Sequence, residues 1–145
     1  MEFSIPGAPV AKARPRFSRR GGFVMTYRPS KEVAAEARLR AFVQEQMRNQ
    51  HLEMLPAGAP LVVSCEFDFA PPKSWGKRRK LGCLGQPHIS KPDLDNLIKF
   101  VLDALNGVVW ADDRQVAAYG ECVKLWTETP MTRITVETLQ EVTHE

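Results

Sequence analysis

The chain has 145 residues, of which 43% are hydrophobic and 26% are charged, and its formal net charge is +3. This length predicts one domain with a real core, and the composition is that of an ordinary globular protein. No apolar run approaches membrane-spanning length, and the N-terminus lacks a signal-peptide pattern, so we expect a cytoplasmic protein with no membrane partner. The three widely spaced cysteines, Cys65, Cys83 and Cys122, predict reduced thiols.

The N-terminal quarter predicts a short strand and a basic hairpin. Residues 3–5 form the strand, which Pro6 ends. Residues 16–18 and 23–25 flank a tip at residues 19–22 that carries two arginines and two glycines.

A long helix and a second strand follow. Residues 30–54 are rich in Ala, Glu, Arg, Gln and Leu, which favour a helix. Its apolar stripe predicts core or dimer packing. Residues 61–69 alternate between apolar and polar side chains and predict a half-buried strand. Asp68 is the one acid of this strand that is a candidate for the metal cluster, but we expect it to face solvent. The helix stripe consists of Ala35, Leu39, Phe42, Val43 and Met47.

Residues 71–90 predict a long loop rich in proline, glycine and basic side chains. Loops of this length inside a compact domain are commonly functional or disordered. Trp75 lies among its lysines, where it either stacks on a nucleobase or packs under the loop. A lone histidine, His88, gives only a weak signal for ligation or acid–base work.

The segment 91–99 places two carboxylates and a lysine at the opening of an apolar-periodic helix. Asp93 is the predicted N-cap residue, so its dihedral angles are free of the helical repeat and its carboxylate can lie beside that of Asp95. Lys99 stands one turn beyond Asp95 on the same face. The positive end of the helix dipole favours both acids in the ionised form. The apolar positions are Leu94, Leu97, Ile98, Val101, Leu102 and Leu105.

A third acid is predicted to return to this place. The helix climbs about 20 Å at ~1.5 Å per residue. An extended return over residues 107–113 covers about the same distance at ~3.3 Å per residue. Asp112 and Asp113 would then lie level with Asp93 and Asp95, with only one of the returning pair facing them. We expect Asp112 to shape the turn and Asp103 to lie on the helix surface.

Residues 115–126 and 132–138 predict a C-terminal hairpin. The predicted fold is therefore α+β: a single small domain over residues 1–145, mainly an antiparallel sheet with two long helices packed on it. The tail at about residues 139–145 is expected to be frayed.

Positive charge is concentrated in two clusters, the electrostatic footprint of a polyanion binder. A solvated surface is the plainer interpretation of any charge run. An acidic site of the metal-binding kind elsewhere in the chain favours phosphate contacts. The predicted DNA-binding residues are Lys12, Arg14, Arg16, Arg19, Arg20, Lys77, Arg78, Arg79 and Lys80.

Three carboxylates and a lysine at one helix start suit Mg²⁺ or Mn²⁺, which take oxygen ligands, and metal-assisted phosphodiester hydrolysis is the chemistry that fits. An Asp-x-Asp pair alone is weak evidence, because capping and solvent exposure explain most such pairs. Phosphatases of the aspartyl-phosphate type need the pair directly after an apolar strand. Calcium-loop spacing also fails.

Three runs resemble the RusA family of Holliday-junction resolvases, and with an N-terminal basic segment they follow the family's order of motifs along nearly the whole chain. An N-terminal basic segment at residues 12–17 is similar to one in phage-type members. The three runs are residues 91–99, 102–107 and 110–116.

The resemblance implies a small homodimeric endonuclease that binds four-way branched DNA and nicks two strands symmetrically in recombination and repair. It implies that Asp93, Asp95 and Asp113 bind the metal and that Lys99 is the essential lysine. The long loop departs from the shortest family members, which bears on the junction contacts and leaves the metal site unaffected.

Two other functions remain open from the residues alone. One is a non-catalytic nucleic-acid-binding module whose acids merely cap a helix. The other is a metal-dependent hydrolase of small phosphorylated molecules, which would leave both basic clusters without a role. Metal dependence and a preference for branched DNA over nucleotides separate the three.

Overall fold

A computed structural model describes residues 1–13, 16–20, 23–27 and 29–139; for residues 16–20 and 23–27 it describes the backbone only. The predicted frayed tail, from residue 140 onward, lies outside the described residues. The strands are β1 (Glu2–Pro6), β2 (Arg16–Arg20), β3 (Phe23–Tyr27), β4 (Leu61–Phe69), β5 (Val116–Trp126) and β6 (Met131–Thr138). The helices are α1 (Ser30–Asn49), α2 (Lys77–Cys83) and α3 (Leu94–Leu105), with one 3-10 turn at Asp113–Gln115.

Four strands form a mixed sheet in the order β1–β6–β4–β5, and β2 pairs with β3 in a separate antiparallel ribbon. This arrangement confirms the α+β class. The predicted C-terminal hairpin is wrong, because β4 lies between β5 and β6 and pairs with both. β4 takes the central position since its inward side chains are almost fully buried. Its parallel pairing with β5 requires a crossover connection, and α3 supplies it.

The core lies between one face of the sheet and the helices α1 and α3. The predicted stripe of α1 is confirmed, since Leu39, Val43 and Met47 are buried. The helix ends at Asn49 rather than near residue 54, because His51 adopts a positive φ of 55°. Among the residues that the structure describes, no helix has the length and apolarity needed to cross a bilayer.

The basic loop is more ordered than predicted. It contains α2, and its residues 85–88 pair with the outer edge of β5. Gly85 N–H donates to Trp126 O at 2.8 Å, and His88 N–H donates to Lys124 O at 2.9 Å. This pairing covers a strand edge that would otherwise be open to association.

α3 begins after Asp93, as predicted, and turns its apolar face to the core. The predicted extended return is wrong. Gly107, with φ of 79°, starts a tight turn in which its N–H donates to Trp110 O at 2.8 Å. Val108, Val109 and Trp110 are all buried in this turn, so their β-forming character serves packing rather than extension.

Candidate functional site

Asp93 and Asp95 lie exposed at the N-terminus of α3. Asp93 has the extended dihedral angles of an N-cap residue, yet its carboxylate accepts no capping hydrogen bond from the described backbone. Asp95 Oδ1 accepts one from Asn96 N–H at 2.9 Å. Three of the four carboxylate oxygens therefore have no hydrogen-bond donor among the described residues, and the helix dipole favours negative charge here.

Lys99 is exposed one turn after Asp95, as the spacing predicts. Asp103 follows one turn later. The stripe Asp95–Lys99–Asp103 alternates in charge and lies opposite the buried side chains of the helix, which include Leu97 and Val101.

Lys124 fixes the chain just before the two acids, a role that the sequence did not indicate. Its Nζ donates to Ser90 O and to Pro92 O, each at 2.7 Å. Lys124 is the register partner of Phe67, so it lies on the apolar side of the sheet. A lysine at a position where the strand alternation expects an apolar side chain is the signal that would have found it.

Asp113 is half-buried and held by an indole. Trp110 Nε1–H donates to Asp113 Oδ1 at 2.8 Å. Burial raises the pKa of Asp113, the Trp110 hydrogen bond opposes that shift, and the charges of Asp103 and Asp112 add to it. Asp103, whose charge acts on Asp113, is two helical turns beyond Asp95, roughly 12 Å along the axis.

The tight turn after Gly107 replaces the extended segment on which the predicted return of Asp112 and Asp113 to the level of Asp93 and Asp95 depended. Within one chain, no three Asp, Glu, His or Cys side chains of the described residues are grouped so that they could hold a metal ion. The metal-binding roles of Asp93, Asp95 and Asp113 stay predictions.

Asp112 shapes the turn, as predicted. Its Oδ1 accepts from Arg114 N–H at 3.0 Å. The buried side chain of Gln115, which sequence reasoning missed, accepts from Ala111 N–H and Asp112 N–H and donates to Pro56 O at 3.0 Å. Because both the oxygen and the nitrogen of the Gln115 amide are hydrogen-bonded, the turn that carries Asp113 is held rigidly.

Lys12 forms an ion pair with Asp103, 2.6 Å from Nζ to Oδ2. Its backbone N–H donates to Asn96 O at 2.9 Å, so the N-terminal segment is bound to α3 at two points. Its predicted contact with DNA stays a prediction, and its ammonium group already has one carboxylate partner.

The second basic cluster lies on α2, where Lys77, Arg78 and Arg79 are exposed and Lys80 is half-exposed. The Arg79 guanidinium stacks over the Trp75 ring at 3.6 Å. Trp75 therefore packs within the loop, one of the two alternatives for this residue.

The Trp75 ring begins a column of four aromatic side chains that joins α2 to the sheet. Trp75 contacts Trp126 at 5.1 Å between ring centroids, Trp126 contacts His88 at 4.0 Å, and His88 contacts Phe69 at 4.5 Å. Burial lowers the pKa of His88, and the Lys124 charge adds to the effect. This histidine is a packing residue.

The first basic cluster falls largely outside what can be described. Arg14 lies outside the described residues, and only the backbone is described for Arg16, Arg19 and Arg20. The predicted hairpin is confirmed by the antiparallel pairing of β2 and β3, which runs from Arg16–Tyr27 to Arg20–Phe23.

Asp68 does not face solvent as expected; it is 1% exposed. Its Oδ2 lies 3.5 Å from Arg133 Nε, whereas its Oδ1 has no hydrogen-bond partner among the described residues. Burial raises the pKa of Asp68 to about 6, with a contribution from Glu66 that Arg133 opposes. The strand alternation correctly predicted that Asp68 lies on the polar face of β4, but it did not predict that Asp68 is buried there.

These features describe an α+β domain with two exposed acids and an exposed lysine in the first turns of α3. The chain matches the endodeoxyribonuclease RusA family over residues 6–137. It belongs to that family, and this membership supports a nuclease of the Holliday-junction-resolving class that acts on branched DNA. It is also 30% identical over 136 residues to the uncharacterized protein YqaN of Bacillus subtilis, covering 94% of each chain.

Proposed function

We propose that this chain is a Mg²⁺-dependent endodeoxyribonuclease that resolves four-way junctions by paired symmetric nicks in DNA recombination and repair. The observation that carries the proposal is the pair Asp93 and Asp95, which is exposed, lies at a helix N-terminus and has only one of its four carboxylate oxygens hydrogen-bonded by the described residues. Acids that only cap a helix would accept hydrogen bonds from its first turn, and Asp93 does not.

The donor set fits Mg²⁺ or Mn²⁺. Such ions commonly take one or two carboxylates and complete their coordination with water and substrate phosphate. Asp93 and Asp95 supply two carboxylates, and we assign Asp113 as the third on the family resemblance. When bound, the metal supplies Lewis acidity toward the scissile phosphate and a lowered pKa of the attacking water.

The remaining work falls to the protein's own side chains. Lys99 stabilises the negative charge that develops on the phosphate in the transition state. Trp110 orients the Asp113 carboxylate through its indole N–H. Lys124 holds the segment that leads to Asp93.

The basic side chains bind phosphates and give affinity that is salt-sensitive and largely independent of sequence. On α2 these are Lys77, Arg78, Arg79 and Lys80. We propose that the protein acts as a homodimer, because a twofold pair of subunits presents two equal sites to a substrate of near-twofold symmetry.

Asp95→Asn tests the proposal on a synthetic four-way junction. Wild type is expected to cleave in Mg²⁺ and to stop when a chelator is added. Asp95→Asn should lower the cleavage rate by at least about a hundredfold, while junction binding is retained or tightened because negative charge near DNA is removed.

Glu128→Gln, an exposed carboxylate in the β5–β6 connection, is the matched control and should cleave normally. Cleavage that persists in chelator, or in Asp95→Asn at the wild-type rate, would rule out the metal mechanism. Binding of the junction with no cleavage by wild type in any divalent ion would favour the non-catalytic module.

A further inference from the structure

Ile89 is the most exposed large hydrophobic side chain among the described residues, at 93%. Single exposed apolar side chains are ordinary on protein surfaces and need no function. Ile89 differs in how its backbone is held and in what lies next to it.

The backbone on both sides of Ile89 is fixed by one residue. His88 N–H donates to Lys124 O at 2.9 Å, and Lys124 Nζ donates to Ser90 O and Pro92 O at 2.7 Å each. The His88 ring is buried between Phe69 and Trp126. The isoleucine is therefore presented to solvent on a rigid segment, with little ordering left to be done when it contacts a partner.

Ile89 is followed in the chain by an exposed lysine and by the first candidate metal ligand. Asp93 follows four residues later, within about 14 Å of chain reach. Lys91 is exposed between them. Within the aromatic column, the His88 ring contacts Trp126 and Trp126 contacts Trp75, on which the Arg79 guanidinium of α2 stacks. Along the chain, the exposed Ile89 thus follows His88, whose ring contacts lead to Arg79, and precedes the candidate metal ligands, so DNA bound by both groups would pass near it.

We propose that Ile89 is a specificity-determining residue that inserts against the nucleobases at the branch point of the DNA, an inference that rests on the proposed function. Apolar side chains that bind DNA commonly act as wedges between base steps, and the unstacking costs least where pairing is already interrupted. A branch point offers such bases, whereas a continuous duplex does not. Lys124 acts as the positioning residue for the wedge.

The experiment compares binding of Ile89→Ser and wild type to a four-way junction and to a linear duplex, in Ca²⁺ so that cleavage does not interfere. Ile89→Ser should weaken junction binding about tenfold, the order expected for one aliphatic side chain withdrawn from water, and leave duplex binding unchanged. 2-Aminopurine placed at the branch point should brighten on binding wild type and stay quenched with Ile89→Ser.

Two further variants complete the design. Ile89→Leu keeps the apolar bulk and should behave as wild type, and Val33→Ser, which alters a 47% exposed valine on α1, should leave both affinities unchanged. Since Ile89 is exposed, Ile89→Ser should fold and unfold as wild type does.

An equal loss on junction and duplex, or no loss on either, would overturn the assignment to the branch point. A lower oligomeric mass in solution for Ile89→Ser than for wild type would also overturn it, and would assign Ile89 to the contact between two copies of the chain. If wild type itself does not bind the junction, the proposed function fails, and this outcome is distinct from a wild type that binds and an Ile89→Ser that binds equally well.

Discussion

The two ends of α3 hold acidic residues in opposite ways. At the N-terminal end, Asp93 and Asp95 are exposed, and the described residues give them a single hydrogen bond. Beyond the C-terminal end, Asp113 accepts from Trp110, and Asp112 accepts from Arg114 N–H in a turn closed by Gln115. The first pair accepts one hydrogen bond from the described residues, whereas each acid of the second pair accepts a hydrogen bond that supports the turn.

The difference teaches that the acids of one family motif contribute unequally to the stability of the fold. A carboxylate that already accepts hydrogen bonds from its own chain has fewer lone pairs for a metal, and removing it leaves donors unpaired. A carboxylate without partners costs the fold little when it is replaced. Stability and activity should therefore separate between the two ends of the helix.

The largest expected effect comes from Asp93→Asn. Because the side chain makes no capping hydrogen bond with the described backbone, we expect the free energy of unfolding to change by less than about 0.5 kcal/mol. Cleavage of a four-way junction should fall at least about a hundredfold. Thermal unfolding and a single-turnover cleavage assay measure the two quantities.

Asp112→Ala is the matched variant at the other end. It removes the acceptor for Arg114 N–H and should lower the free energy of unfolding by about 1 kcal/mol, as the loss of a cap does. Cleavage per folded molecule should fall far less than in Asp93→Asn. Equal losses of activity in the two variants would erase the distinction between the ends.

A smaller effect on cleavage is expected for Trp110→Phe, which retains an aromatic ring and removes the indole N–H. Asp113 Oδ1 then loses its donor in a half-buried position, so the free energy of unfolding should fall by about 1–3 kcal/mol. If the indole orients Asp113 for metal binding, the variant should also need more Mg²⁺ for half-maximal cleavage. Unchanged Mg²⁺ dependence at lowered stability would confine Trp110 to a packing role.

A prediction with no expected effect on cleavage concerns Asp68, which belongs to neither end of α3 and measures the cost of burying an acid in this fold. Its pKa is raised from an ordinary value of 3.8 to about 6, so the native state binds its proton more tightly than the unfolded chain does. Its contribution to stability is present below about pH 4 and is lost as the pH rises through about 6.

Asp68→Asn should therefore gain stability relative to wild type as the pH rises from 4 to 7, on the order of 2 kcal/mol at neutral pH. Arg133 keeps Glu66 as a partner in this variant. Unfolding curves of the two proteins at several pH values measure the gain, and Glu137→Gln, an exposed acid on β6, controls for general charge effects. Parallel pH profiles for Asp68→Asn and wild type would show that burial does not perturb this group.

Local signals predicted the elements well. The apolar repeat of α3, the alternation of β4 and the N-cap position of Asp93 are properties of short segments, and each is confirmed. The pairing of strands was not local. β5 and β6 are joined by a short connection that suggests a hairpin, yet the more deeply buried β4 separates them.

Long-range contacts account for the rest of what was missed. The segment after Gly107 consists of β-forming residues, but they are buried in the core as part of a turn and do not form a strand. The three bonds of Lys124 to residues 88–92 join positions more than 30 residues apart, and no periodicity encodes them. The charges of the basic hairpin were predicted, while its arginine side chains lie outside what the structure describes.

The placement of the three tryptophans gives the protein its own optical reporters. Trp75 and Trp126 lie together in the aromatic column, and Trp110 is fully buried beside Asp113. Fluorescence of the first pair reports on the basic segment, and that of Trp110 reports on the turn. When Trp110 is replaced by phenylalanine, the emission comes from Trp75 and Trp126 alone; when those two are replaced, it comes from Trp110 alone. Changes at the basic segment and at the turn after α3 can therefore be followed separately in solution without an attached dye.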